Sequence, residues 1–392
     1  MPEAANACNT VVCDLGSAWI KSGFAGSDAP TASLPSLVGW QASGQTPLVG
    51  SKTLLLGDSC AKSLLDLKAA RPVQKGCVQD WEAVGDLWQH TFRDLLKVDP
   101  HQQKMLVTES PLTPPGHRHR LFEILFERFG FAAATTQIQA ALTLYAQGLM
   151  TGLSVDAGDV THVAPVVDGY AFPHLTRRLE VAGEQVTSYL LDLLLHRGYT
   201  FNRATDLPSL RSVKESICYV AAQYQREVQL ARETTCVMRT YTLPDGRLIR
   251  VGAERFKAPE CMFTPRLIDC ESEGLSEMIF SCIQGMDVDN RMAMYQHIVL
   301  SGGSTMFGGV PQRIENDIRA LYLQHTLKGD TKGLRRLKLR IDDPPHRHNL
   351  VYLGASILAG LMGDDSAFWI RRAEWEEDPH RAMKKSMGAQ NL

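Results

Sequence analysis

Two acidic turns, Asp14-Leu15-Gly16 and Asp156-Ala157-Gly158, each stand between two runs of β-favouring residues, and this recurrence constrains the chain more than any other feature. Residues 10–13 lead into the first turn and residues 19–25 leave it; Leu153 and Val155 lead into the second, and Val160 begins the run that follows. Both places read as strand, tight turn, strand, because branched and apolar residues favour extended backbone and glycine permits a sharp reversal. One Asp-x-Gly is an ordinary turn signature. Two in the same local grammar predict two similar halves. Backbone N–H groups gathered inside such a turn form a concave anion site, and an adjacent Asp suits a divalent cation that bridges to phosphate oxygens. A phosphate chain gripped by both hairpins would place that cation between Asp14 and Asp156.

A third stretch fits the same chemistry. Residues 297–301 read as a strand, followed by Gly302, Gly303, Ser304, Thr305 and Met306, then by Phe307 and two further glycines before a helical pattern at Ile314, Ile318 and Leu321. Glycines between a strand and a helix let backbone approach a ligand closely. Alone this is as readily a flexible connector; beside two acidic hairpins it points to a nucleotide.

Elsewhere apolar spacing predicts helices over 81–96, 120–129, 137–148, 184–197 and 210–227, with helical spacing also at 60–68 and a buried strand at 105–108. Residues 41–52 are rich in turn formers and read as a mobile surface loop. The 392 residues suffice for two domains with real cores, and 44% hydrophobic with 21% charged residues is a globular composition. A formal charge of -2 gives no reason to expect nucleic acid as a partner. Residues 1–6 lack the features of a secretory signal, and no apolar run is long enough for membrane insertion. Nine scattered cysteines without Cys-x-x-Cys suit a reducing compartment and argue against a disulfide frame or a zinc site.

Other constellations have bland readings. His117-Arg118-His119 and His346-Arg347-His348 each follow prolines, and in extended backbone the paired histidines would share a face. Solvated basic turns are the better reading than a four-ligand metal site. Glu374, Glu376, Glu377 and Asp378 read as solvated surface, and Lys384 and Lys385 as part of a frayed tail. Spacing supports no Ser/His/Asp or paired-carboxylate catalytic motif.

Residues 138–152, 173–179, 241–251 and 298–306, set beside the two hairpins, carry a resemblance to the actin family that runs from about residue 10 to about residue 375. Leu175-Thr176-Arg177-Arg178 tilts it from conventional actin toward the actin-related subunits of the branch-nucleating complex. The resemblance implies an α/β fold of the actin, sugar-kinase and heat-shock ATPase type: two lobes, each on a five-stranded mixed sheet with flanking helices, and a nucleotide cleft between them. The implied division is 1–147 with 340–392 as one lobe, containing a small mobile subdomain at 34–70, and 148–339 as the other, containing a smaller subdomain at 181–272.

The implied cofactor is ATP or ADP with Mg²⁺. By resemblance Asp14 and Asp156 orient the cation through water, Gly16, Ser17 and Lys21 contact phosphates, and Gly158 and Asp159 close the other side. Gly183, Arg211, Lys214 and Glu215 would line the adenosine pocket, with Gly303, Ser304, Met306 and Phe307 opposite. Gln139 and His162 match the positions that place the attacking water. Phosphoryl transfer to water is mostly positioning and charge neutralisation, so such a set suffices.

Departures from the family pattern bear on turnover. Leu15 stands where the family has Asn, Ala18 where it has Gly, Ala157 where it has Ser, His348 where it has Lys, and one Gly is missing between Asp159 and Val160. These imply an ATP-binding, non-enzymatic protein with at most weak hydrolysis. The implied partners are a sister actin-related subunit, the smaller subunits of the branching complex, actin filaments and nucleation-promoting factors, in the cytoplasm and cytoskeleton, with 263–274 and 41–52 as contact surfaces. A divergent scaffold outside that complex is the alternative. A small-molecule kinase is disfavoured, because the resemblance extends over surface segments that kinases do not share.

Overall fold

The computed structural model describes residues 10–41, 54–62, 67–203 and 205–389. The loop expected at 41–52 therefore lies, apart from Gln41, outside the described residues. The chain divides into two compact units, one comprising 1–154, 166–174 and 349–392, the other 155–165 and 175–348. The architecture is mixed α/β with flanking helices.

In the first unit the expected hairpin pairs Thr10–Leu15 antiparallel with Trp19–Phe24, in a register that sets Asp14 opposite Lys21. Thr10–Leu15 also runs parallel to Lys104–Glu109, which runs parallel to Ala133–Ile138. These central strands are buried along almost their whole length, which is why they read as apolar runs rather than alternating ones. The sheet has six strands where five are expected, because the two-residue strand Ile370–Arg371 adds to its edge at Ala133 and Ala134. On one face packs the helix Trp81–His90, started by the Asp80 carboxylate, which accepts from the N–H groups of Glu82 and Ala83 at 3.0 Å. Its buried Trp88 stacks on Phe92 and meets the half-buried Phe129 edge-on, and Phe92 in turn meets Phe131 edge-on. On the other face Leu350–Met362 crosses Gln139–Tyr145 so closely that a Cβ on Gly354 would overlap the Leu142 carbonyl.

A second sheet holds, in spatial order, Ile341–Asp342, Ile298–Ser301, Gly152–Ala157 and Thr161–Val167; Arg177–Leu179 and Tyr170–Ala171 pair with the outer edge of the last. In the second unit the helix Gly183–His196 packs against Leu207–Ile217 and Glu254–Glu260. Leu275–Gly285 packs against Val310–Leu321. Glu260, almost wholly buried, is held by a two-nitrogen contact from Arg313 at 2.9 and 2.8 Å.

Several local expectations are corrected. The helix expected from 137 begins at Gln139, and Gln137 and Ile138 finish a strand, because a strand buried on both faces shows no period-two signature. The helix expected over 210–227 is broken between Leu207–Ile217 and Tyr224–Glu233, where the Val220 N–H leaves the helical pattern to donate to Gly308 O at 2.8 Å. The helix expected across 60–68 is Gly57–Lys62, and Leu67–Ala70 is a strand. His117 and His119 sit on the helix Pro115–Glu123 rather than in extended backbone. Lys385 is no frayed tail residue: it lies on Pro379–Ala389 and donates to Trp369 O at 2.9 Å and to Glu374 at 2.8 Å. No helix of the described residues is long and apolar enough to cross a membrane.

Candidate functional site

In the first unit the hairpin register puts Lys21 Nζ 3.5 Å from Asp14 Oδ2. Asp14 is 5% exposed, and its other oxygen, Oδ1, accepts from Thr108 Oγ1 at 2.6 Å and from Gln139 Nε2 at 3.3 Å. Gln139 reaches it as the first residue of its helix, directly after a strand that lies two places from Thr10–Leu15 in the sheet. Two residues singled out from distant parts of the sequence thus meet. Thr108 belongs to no motif; its one signal in the sequence is a hydroxyl following the apolar run Met105, Leu106 and Val107. Ser17 is buried beside the turn, where its hydroxyl accepts the Gly76 N–H at 3.1 Å and keeps its own proton to donate. Gly16 has no room for a side chain, since a Cβ would lie 2.6 Å from Trp19 O. Leu15 packs against the apolar core of this unit, so the position offers no polar group.

In the second unit four of the expected residues converge. Ser304 Oγ donates to Gly158 O at 2.8 Å, and the Gly183 N–H donates to the same carbonyl at 3.2 Å. Buried Lys214 donates to Gly183 O at 2.9 Å. A Cβ on Gly183 would stand 2.7 Å from Ser304 Oγ, so glycine is what allows these elements to close. A Cβ on Gly158 or Gly303 would meet nothing within 4 Å, which leaves backbone there open to a ligand. Phe307 is buried, Met306 is 40% exposed, Arg211 is half-buried and Glu215 lies at the surface. Asp156 and Asp159 are both half-buried, on the strand and in the turn. The turn itself is tight. Gly158 N–H donates to Val160 O at 3.1 Å, with only Asp159 between them. The shortened loop therefore uses one of its own amides to close.

His162, 4% exposed, sits on Thr161–Val167 opposite Arg178 with Nε2 buried and, among the described residues, without a hydrogen-bond partner. Burial, with a lesser push from the Arg178 charge, pulls its pKa down to about 4. Since an unfolded histidine titrates near 6.5, the unfolded chain takes up a proton that the native one refuses between these values. Stability should therefore be full above about pH 6.5 and fall as the pH drops toward 4. By about pH 5 the loss should be on the order of 2 kcal/mol. Urea unfolding of wild type and His162→Gln at pH 7.5 and 5 checks this: the variant should lack that share of the acid sensitivity.

Among the described residues no group of three or more His, Cys, Asp or Glu side chains is arranged to hold a metal directly. Within the second unit the open glycines and the convergent hydroxyl and ammonium groups suit a phosphorylated ligand, and within the first the enclosed carboxylate Asp14 suits the water of a hydrated cation.

The sequence profile of the family described as Actin matches residues 5–387. The chain is 49% identical over 383 residues to "Actin-related protein 2" of Arabidopsis thaliana, covering 96% of this chain and 98% of that one. It is 49% identical over 381 residues to the protein of that name in Oryza sativa subsp. japonica, with the same two shares of coverage. To that of Acanthamoeba castellanii it is 47% identical over 379 residues, again covering 96% and 98%.

Proposed function

The chain belongs to the actin family, and from that premise we propose that it is an actin-related subunit of a branch-nucleating complex, binding ADP or ATP with Mg²⁺ and hydrolysing it slowly or not at all. The single observation that carries the nucleotide reading is the convergence of Gly158, Gly183, Lys214 and Ser304 from four separate stretches of sequence. On this reading they, with Asp159, Arg211, Glu215, Gly303, Met306 and Phe307, hold phosphate and adenosine from one unit. Gly16, Ser17 and Lys21 also serve the phosphates, and Asp14 and Asp156 hold the waters of the cation. Mg²⁺ would supply charge neutralisation at the phosphates.

Slow turnover is supported by three features of the chain. Leu15 is committed to the core, Ala157 has no hydroxyl, and Gly158 spends its N–H on Val160. Gln139 Nε2 is engaged with Asp14, and His162 is neutral near pH 7, so both can orient water without supplying a charge. The partners on this reading are the sister actin-related subunit, the smaller subunits, actin filaments and promoting factors, in the cytoplasm and cytoskeleton. Residues 263–274 are one contact surface; there Leu267 is 39% exposed on the short helix Pro265–Ile268.

The same three features favour a second reading, a scaffold outside the complex that needs no nucleotide clock. Affinity purification of a tagged chain separates the two. The proposed role predicts recovery of the sister and smaller subunits, and their absence moves the assignment to the scaffold. Phosphate release by the isolated chain is expected to be far below that of filamentous actin, and a comparable rate would overturn the slow-turnover reading.

A further inference from the structure

Arg347 is the one arginine among the described residues that is buried, at 7% exposure. It forms no salt bridge among them. Its Nε donates to Thr305 Oγ1 at 3.1 Å and Nη2 to Thr305 O at 2.7 Å; Nη1 lies 3.4 and 3.3 Å from the carbonyls of Asp343 and Pro344. Of the less deeply enclosed arginines, Arg313 grips Glu260 and Arg118 grips Glu109, while half-buried Arg255 and Arg291 donate to neutral oxygens as Arg347 does, without its depth of burial. Removing a cation from water is costly, and neutral oxygens compensate it less well than a carboxylate does. Such a cost is tolerated where the geometry it enforces matters.

That geometry is a closed ring of bonds. The guanidinium holds both the hydroxyl and the carbonyl of Thr305, fixing its orientation through two adjacent nitrogens. Thr305 Oγ1 donates onward to Gly302 O at 2.8 Å, and the Gly302 N–H donates back to Arg347 O at 3.3 Å. Gly302, at φ +87, lies against the second acidic turn so tightly that a Cβ would overlap the Ala157 carbonyl. Ser304, two residues on, bonds Gly158 O. A shift at Arg347 therefore passes to the turn at 157–159 through two contacts.

We propose that Arg347 is a positioning residue, which clasps the 302–306 turn in register with the 157–159 turn and so sets the affinity for the phosphates of the nucleotide without touching them. The ligand side of this assignment rests on the nucleotide reading above. Lysine at 347 keeps the charge but cannot hold two oxygens of one residue in a plane. Valine at 305 keeps the shape but removes the hydroxyl relay.

The test compares full-length wild type, Arg347→Lys and Thr305→Val for binding of Mg-ADP and of adenosine by calorimetry, and for amide hydrogen exchange. Losing one hydrogen bond to a charged donor predicts Mg-ADP binding weaker by about tenfold in both variants, and adenosine, which on this reading meets the 302–306 turn but not the 157–159 turn, weaker by only about threefold. Exchange should quicken at 157–159 and 302–306 while Leu275–Gly285 keeps its protection. Equal losses for both ligands, uniform loss of protection, or a folded Arg347→Lys that behaves as wild type would each overturn the proposal. If Arg347→Lys does not fold, Thr305→Val carries the same comparison. Wild type failing to bind Mg-ADP would sink the nucleotide reading alone, and the local exchange pattern would still decide the role of Arg347.

Discussion

An Asp14→Asn chain is expected to bind Mg-ADP about 100-fold more weakly than wild type, a loss of about 2.7 kcal/mol. Among the described residues both hydrogen bonds to this carboxylate, from Thr108 and Gln139, reach Oδ1, and Oδ2 faces the Lys21 ammonium, at 3.5 Å. It is the oxygen with capacity left for a water of the cation. Asparagine has the same shape and can still accept from Thr108, so the fold should survive with little change in melting temperature. What disappears is the negative charge, and with it the reason for a hydrated divalent cation to dwell beside the phosphates. The deficit should therefore depend on the metal. Calorimetric titration with ADP in Mg²⁺ should separate the two proteins by two orders of magnitude, and titration in EDTA by less than about threefold. Wild-type affinity of Asp14→Asn in Mg²⁺ would remove Asp14 from the site.

Gly354→Val should abolish folding of the first unit or cost it more than about 4 kcal/mol. The helix Leu350–Met362 meets Gln139–Tyr145 backbone to backbone at this glycine, and the built Cβ overlaps the carbonyl oxygen of Leu142, which as part of a helix cannot yield. Relief requires moving one helix off the other. That opens a core containing Val12, Leu106, Tyr352, Ala355 and Trp369, all nearly or wholly buried. Gly360 on the same helix is the control. A Cβ there would come only within 3.7 Å of Gly26 N, an ordinary contact, so Gly360→Ala should be neutral or stabilise by about 0.5–1 kcal/mol. Urea unfolding of the two variants should place them on opposite sides of wild type. Matching behaviour would mean that the helix contact is not what glycine 354 serves.

The hairpins were legible because they are local. Strand, turn and strand lie within about fifteen residues, and the alternation that makes the first of them also puts Lys21 across from Asp14. The Gly-rich turn after Ile298–Ser301 was legible for the same reason, and with it the candidacy of Ser304. Family resemblance supplied Gly183 and Lys214, which nothing in their own surroundings marks. Their meeting with Gly158 depends on helices from different parts of the chain packing onto one sheet. The break at Cys218 was illegible because the apolar spacing of 210–227 continues through it; a partner on Gly308, remote in sequence, takes the Val220 amide away from the helix.

By itself, then, the sequence determined the pair of acidic turns, the glycines that let backbone close on itself and the apolar runs from which each core is made, since these are properties of a residue and its near neighbours. Only the tertiary structure decided that Gln139 should reach Asp14, that Leu15 should turn into the core, and that Arg347 should spend its charge on Thr305. Each of those depends on desolvation and hydrogen bonding between segments far apart in the chain, and a polar side chain carries no local mark of the partner that burial will give it.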